Sequence, residues 1–343
     1  MVRGGAHFTE VELDEVLGHY NIGEIVHVNS LSAGNKCAPK MVIISKHGKY
    51  LLKRRPKGKD DLYHVAFAHS VQEKLDKKGF PVTRLVETLD EDNTILQLEN
   101  HIYELFEFAA GVRYDGSSEA TRDAGKQLAR FHRSLSDFDS QLKPLRGSFH
   151  DSTSVRHQLK LVSNSSAGND KVKLFDIADV LASLYNNSSV RVNQLGFDSW
   201  EEQVVHGDWH PGNMLFCDGK INAVLDFDSI KLAATVTDLA NGMLQFSIIG
   251  DRPTPAEWPD HLDEEKLIDF LGGYREVIGL GDDKVSSLLD LMIETMIAEA
   301  VLPIAATGFF GNLSGAEFLA MIRRKAKYID KNRDRLSEAI QSD

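Results

Sequence analysis

Val204-Val205-His206-Gly207-Asp208-Trp209-His210-Pro211-Gly212-Asn213, followed by Val224-Leu225-Asp226-Phe227-Asp228, is the stretch on which the reading of this chain turns. It reads as a short strand, a polar loop, a short hairpin and an acidic strand end. Asp208 precedes Asn213 by five positions, and Asn213 precedes Asp226 by thirteen. A carboxylate at a loop apex can reach into a cleft, orient a hydroxyl and accept its proton. An amide oxygen and a second carboxylate are hard donors of the kind magnesium prefers. Asp208 is therefore the candidate catalytic residue, and Asn213 and Asp226 are the candidate Mg2+ ligands. His206 is expected to hydrogen-bond backbone and hold the loop.

Two other readings fit the loop taken alone. Alternation of His206, Asp208 and His210 could set three metal ligands on one face of a strand. Gly207-Asp208-Trp209-His210 also superficially resembles the G-D-x-H start of a binuclear metallophosphatase, a site that needs further ligand clusters downstream, and no Asn-His pair follows here. The third reading is a buried polar turn without chemistry. The Asn and second Asp at fixed spacing weigh against it.

Working outward, 343 residues are long for one core and point to two lobes. With 42% hydrophobic and 26% charged residues the chain has the composition of a soluble globular protein. A formal charge of -12 argues against a general nucleic-acid binder, which needs a basic face to neutralise phosphates, and is compatible with an amine-bearing substrate. Cys37 and Cys217 are the only cysteines, so a disulfide framework is not expected and a reducing, cytoplasmic setting is. Met1 to Glu10 holds no apolar segment of the signal-peptide kind, and no run approaches the roughly 18 apolar residues of a membrane span.

Residues 8 to 20 carry a helix signal: Thr9 as cap, Glu12 three residues later, and Leu13, Val16, Leu17 and Tyr20 on one face. Strands are expected over Ile25–Leu31, Met41–Ser45, Tyr50–Arg54, Leu85–Leu89, Thr94–Leu98 and His101–Phe108. A helix over 60–78 interrupts them and ends at Gly79-Phe80-Pro81. From Ser117 the pattern turns helical. Ala120, Ala124, Leu128, Phe131 and Leu135 mark one buried face, and later helices are expected over 264–278, 284–306 and 315–340. The expected organisation is α+β: a β-rich lobe over 1–108 with a five-stranded sheet, counting Thr94–Leu98 and His101–Phe108 together as one long hairpin pair, then a linker over 109–116, and a larger helical lobe over 117–343. Glu294 and Glu299 fall in the strongly apolar run Leu288–Ile304, where one of them could face a bound acceptor.

The spacing from Asp208 to Asn213 is that of the protein-kinase loop H-R-D-x-x-x-x-N. His206 to Asn213 with Leu225-Asp226-Phe227 resembles, more specifically, the aminoglycoside phosphotransferase and choline kinase superfamily, whose form is H-G-D-x-x-x-x-N followed by i-D-w/f. Leu128-Ala129-Arg130-Phe131-His132 is similar to that family's L-A-x-L-H helix, and Asp238-Leu239-Ala240 to its downstream D-L-A, a brace beneath the catalytic loop. The matches run from about residue 20 to about 245. The opening helix and the Gly79-Phe80-Pro81 helix end look most like the homoserine-kinase and spore-coat-kinase branches.

The resemblance implies a bilobal, protein-kinase-like fold and phosphorylation of a small molecule's hydroxyl by ATP with Mg2+. It implies that Lys53, ending an aliphatic strand, contacts the α- and β-phosphates. It implies a helix carboxylate as partner of Lys53. The usual place for it holds Ala66, Phe67, Ala68 and His69, which leaves Glu73, one turn on, as the candidate. It implies that the Tyr103–Gly111 junction reads adenine, with Glu107 offering its carbonyl, Ala109 its N–H, and Phe106 lining the pocket. The loop Ser32-Ala33-Gly34-Asn35 holds one glycine where protein kinases have G-x-G-x-x-G. A nucleotide-binding pseudokinase is the competing class. A protein kinase is disfavoured, because nothing after Asp226 resembles the segment that orders a peptide substrate. The acceptor class stays open among amino sugars, aminoglycosides, homoserine and amino alcohols, and the sequence does not address oligomeric state.

Overall fold

The opening cap signal becomes α1 (Glu10–Leu17): the Thr9 hydroxyl accepts the Glu12 N–H, and the Glu12 carboxylate accepts the Thr9 N–H. The computed structural model describes residues 7–31, 38–90, 93–142, 144–162, 169–250 and 252–341. The one-glycine loop Ser32–Asn35 and Cys37 lie outside those residues. Strands β1 (Ile25–Ser30), β2 (Lys40–Ser45) and β3 (Lys49–Arg54) precede α2 (Leu62–Lys77), and β4 (Leu96–Leu98) and β5 (His101–Glu107) follow it. Then come α3 (Ser118–Ser134), α4 (Thr153–Val162), α5 (Asn169–Gln194), β6 (Glu202–Val205), β7 (Met214–Cys217), β8 (Lys220–Val224) and β9 (Lys231–Ala234). The chain closes with α6 (Thr235–Ser247), α7 (Glu264–Arg275), α8 (Asp282–Thr307), α9 (Gly315–Lys331) and α10 (Arg333–Gln341).

Contacts divide the chain into two units. The first holds Met1–Arg113, Ser134–Leu145 and Asn213–Ile230; the second holds Tyr114–Arg133, Arg146–Gly212 and Lys231–Asp343. The division differs from the chain-order one read from the sequence, since the hairpin that begins after Asn213 falls in the first unit.

In the first unit a five-stranded antiparallel sheet runs in the order β1-β2-β3-β5-β4. Period-two alternation sorts its side chains. Leu52, Tyr103 and Leu105 turn to one face and pack with Val16, Leu17 and Tyr20 of the α1 segment. On β3 and just beyond it, Lys53 and Arg55 turn to the other face. Cross-strand pairing sets Lys53 against Lys40 on β2 and against Glu104 on β5. The expected strand over Leu85–Leu89 is not a strand. Leu85 forms a lone bridge to Phe106, and Val86 N–H and Glu107 N–H make single bonds to Leu105 and Arg84 carbonyls. The hairpin β7–β8 turns on Asp218-Gly219, both with positive φ (48° and 70°), the two-residue turn that matches strand twist.

The second unit is helical, with β6 and β9 paired antiparallel. Helix α8 is buried on nearly every side and packs against α4, α5, α6 and α9, the pattern of a central helix. The expected helix over 315–340 breaks at Asn332 into α9 and α10. Helices α3 and α7 meet backbone to backbone. A Cβ built on Gly125 would stand 1.9 Å from the Phe270 carbonyl oxygen, and one on Gly273 would stand 1.9 Å from that of Arg122. No helix among the described residues is long and apolar enough to cross a membrane.

Candidate active site

In the first unit, Asn213 and Asp226 stand at the two ends of the β7–β8 hairpin. The Leu225 N–H donates to the Asn213 carbonyl at 2.8 Å, so thirteen residues of separation collapse to adjacent positions. Asp226 adopts a left-handed backbone (φ 59°, ψ 76°), a conformation that costs a non-glycine residue on the order of 1 kcal/mol or more. Its side chain is 43% exposed and its Oδ1 lies 4.0 Å from Lys53 Nζ. Asn213 is buried. The donor set, one amide oxygen and one accessible carboxylate held together by a tight hairpin, fits a small hard cation.

Lys53 faces three carboxylates. Its Nζ is 3.2 Å from Asp228 Oδ1, 3.9 Å from Glu104 Oε2 and 4.0 Å from Asp226. Arg55 joins the cluster, with Nε 2.8 Å from Glu104 Oε2, one Nη 2.8 Å from Glu104 Oε1 and 2.9 Å from Asp228 Oδ1. Burial works to raise the Glu104 pKa, but the His69 hydrogen bond and the Lys53 and Arg55 cations outweigh it and hold the carboxyl well below the usual range. The same two cations overcome burial at Asp228 and lower its pKa. Lys40, directly across from Lys53, is held below the ordinary lysine range by burial and by repulsion from Lys53, against the pull of Asp226 and Asp228. Two opposed cations on adjacent strands repel unless anions offset them.

The expected lysine partner on α2 is different. Glu73 stands half-exposed 3.9 Å from Lys77, one turn on, and Lys53 takes Asp228, Glu104 and Asp226 instead. Two α2 residues reach this cluster: His69, whose Nε2 lies 2.8 Å from Glu104 Oε1 and whose Nδ1 lies 2.7 Å from Thr94 Oγ1, and His64, whose Nε2 lies 2.9 Å from the Asp228 carbonyl oxygen. Phe106 and Glu107 end β5, followed by Ala109. The Phe108 N–H donates to the Lys49 carbonyl, and Asn222 Nδ2 donates to the Ala110 carbonyl.

In the second unit, β6 delivers the chain into the candidate catalytic loop that opens at His206. Gly207 takes a positive φ (75°), and the loop is held from below by Asp238 of α6. Asp238 Oδ2 accepts the His206 N–H and Oδ1 the Gly207 N–H, both at 2.9 Å. His132 Nε2 is 3.2 Å from Oδ2, and His132 Nδ1 is 2.9 Å from the Tyr274 hydroxyl. Burial raises the Asp238 pKa, and the His132 hydrogen bond and neighbouring charges overcome it, leaving the group ionised and low. The brace expected of Asp238-Leu239-Ala240 is thus a carboxylate receiving two backbone donors. The His206 ring packs among Phe131 and Trp209, with centroids 6.0 and 5.4 Å away.

Asp208 itself is about two-fifths exposed. His210 Nδ1 accepts the Gly212 N–H at 3.0 Å, which leaves the proton on Nε2, 3.5 Å from Asp208 Oδ2. The Trp209 N–H donates to Asn241 Oδ1, and Asn241 Nδ2 donates to Glu299 Oε1 at 2.7 Å. Gln245 Nε2 occupies the other Glu299 oxygen at 2.6 Å. Burial, then the Asp208 charge, push the Glu299 pKa to about 7. Lys231 of β9, lowered by burial, feels Asp238, Glu299 and Asp208. Glu294 binds His150 Nδ1 and the Asp151 N–H, both at 3.0 Å.

Sequence reasoning missed Glu104, Arg55, His69 and the pairing of Asp228. The signals were present: a lone glutamate in the apolar strand Ile102–Phe106, and a basic run in which alternate residues share a face. An α+β, protein-kinase-like fold carrying these residues is that of a small-molecule kinase. The chain matches the profile of the phosphotransferase enzyme family, APH, over residues 38–280 and belongs to that family. No curated protein sequence matches it. Among solved structures it is similar to the amicoumacin kinase hAmiN in complex with AMP-PNP, Ca2+ and Ami, at 16% identity over 94% of each chain with a TM-score of 0.69. It is also similar to a microcompartment-associated aminopropanol kinase, at 14% identity over 96% of this chain and 99% of that one, TM-score 0.69. Choline kinase LicA from Streptococcus pneumoniae resembles it at 14% identity over 93% of this chain and 99% of that one, TM-score 0.61. At these identities the likeness is one of fold.

Proposed function

We propose that this chain transfers the γ-phosphoryl group of ATP to a hydroxyl of an amine-bearing small molecule, of the amino sugar, aminoglycoside, homoserine or amino alcohol class. The observation that carries the reading is the hairpin that brings Asn213 and Asp226 together beside Lys53. Phosphoryl transfer asks the protein for positioning and charge compensation. Asn213 and Asp226 would hold Mg2+, which when bound neutralises phosphate charge. Lys53, with Lys40 opposite it, supplies cations for the α- and β-phosphates, and the repulsion between them favours an anionic guest. Glu107 and Ala109 offer backbone groups to the adenine edge, and Phe106 lines that pocket. Asp208 orients the acceptor hydroxyl and takes its proton late in the transfer. The formal charge of -12 favours amine-bearing acceptors. The aminopropanol kinase and the choline kinase that the chain resembles in fold point the same way.

The test is ADP release from purified protein, MgATP and a panel of amino sugars, amino alcohols and aminoglycosides. An acceptor-dependent rate that Asp208→Asn lowers by about 100-fold or more supports the assignment. Nucleotide binding without turnover on any acceptor would favour the pseudokinase reading, and full activity in Asp208→Asn would remove Asp208 from its role.

A further inference from the structure

A lysine that grips phosphates has to be held extended by a fixed opposite charge, because its four-carbon stem otherwise leaves the ammonium free to wander. Three carboxylates face Lys53, and they are not equivalent. Asp226 is the accessible end of the hairpin and carries a metal-ligand role in the proposed reaction. Asp228 lies two residues further along the same segment and is divided among Lys53, Arg55 at 2.9 Å and Lys59 at 3.8 Å. Glu104 differs in kind. It is fully buried, it is the residue directly opposite Lys53 in the β3–β5 register, and Arg55 and His69 both bond its Oε1 while Arg55 Nε forms an ion pair with Oε2 at 2.8 Å. Its place is set by backbone pairing and owes nothing to the hairpin.

We propose that Glu104 of β5 is the carboxylate that positions Lys53 for the nucleotide phosphates, and that His69 ties α2 to it. Helix α2 thereby acts on the lysine through a relay of two residues and supplies no acid of its own. An ionised carboxylate only accepts, so His69 Nε2 carries the proton of that bond and Nδ1 is left to face the Thr94 hydroxyl. His69 is itself buried, on the face where the sequence of α2 offers no glutamate.

The inference rests on the kinase reading, and the experiment separates the two. Dissociation constants for ATP, ADP and adenosine would be measured on wild type, Lys53→Met, Glu104→Gln and the double variant, with folding checked by circular dichroism. Glu104→Gln is expected to weaken ATP and ADP about tenfold and leave adenosine unchanged, a split that general loosening of the fold does not produce. In the Lys53→Met background the same change should add nothing further. If Glu104→Gln does not fold, because Arg55 is left with a buried unpaired charge, His69→Gln takes its place. It keeps the Glu104 charge, and a two- to fivefold loss of ATP affinity with adenosine unchanged is expected. Wild-type ATP affinity in whichever folded variant is measured, alongside a clear loss in Lys53→Met, overturns the Glu104 assignment alone. Unchanged ATP binding in Lys53→Met overturns the kinase reading beneath it.

Discussion

Glu299→Gln should stabilise the chain above neutral pH and leave it unchanged in acid. Glu299 is lodged between Asn241 and Gln245, and burial with the Asp208 charge moves its pKa to about 7 from 4.5 in a free chain. Below about pH 4.5 the group is protonated in both states and contributes nothing. As pH rises from there towards 7 the unfolded chain releases its proton while the folded chain keeps it, so the fold loses stability. The loss is complete just above pH 7 and amounts to at most about 3 kcal/mol. Glutamine has the same shape, offers its oxygen to Asn241, and meets Gln245 through an amide flip, but it cannot ionise. Thermal unfolding of both proteins at pH 4.5, 6, 7 and 8 should show coincident Tm values in acid and a gap of roughly 5 °C at pH 8. Adding Asp208→Asn to the wild-type background should shift the titration to lower pH, since a like charge is gone. A gap of the same size at every pH, or a Glu299→Gln protein less stable at pH 8, would refute the reasoning.

Asp238→Asn should cost on the order of 2–4 kcal/mol, because the amide keeps one acceptor where the carboxylate served two backbone N–H groups; thermal melts at pH 7 read it. Since the folded pKa of Asp238 is depressed, its contribution is present above its free value of 3.8 and fades as pH falls through the folded pKa, so the variant should show a flatter acid limb. Gly125→Ala should destabilise by about 1–3 kcal/mol or more, whereas Gly279→Ala, whose Cβ meets nothing within 4 Å, should melt like wild type. Asp226→Asn should lower acceptor-dependent turnover and raise the Mg2+ concentration needed for half-maximal rate, measured by titrating the metal at saturating ATP.

Much of the fold was legible because local rules and tertiary outcome agree. Thr9 and Glu12 form the cap their spacing announces, and the expected helix over 60–78 differs from α2 by a residue or two at each end. Leu85–Leu89 failed because strand propensity describes a half-buried surface, not a partner, and β5 offers that segment only scattered bonds. The loop from His206 to Asn213 stands out in the sequence because its polar residues sit at fixed intervals. Glu104 does not, because its meaning lies in register. Only when β5 lies against β3 does a lone glutamate become the neighbour of Lys53 and Arg55. Glu73 drew the attention owed to His69 for the same reason, since sequence position on α2 does not reveal a contact made through a second residue.

The crossing of α3 and α7 reaches further than packing. Gly273 precedes Tyr274, whose hydroxyl meets His132 of α3, and His132 meets the carboxylate beneath the catalytic loop. The separation of two helix axes is therefore written into the placement of His206 and Gly207. In a mutational scan selected on phosphotransferase activity, Gly125 and Gly273 should rank beside the proposed site residues although their role is in helix packing. A map of functional intolerance drawn from such a scan would extend the apparent active site along α3 and α7.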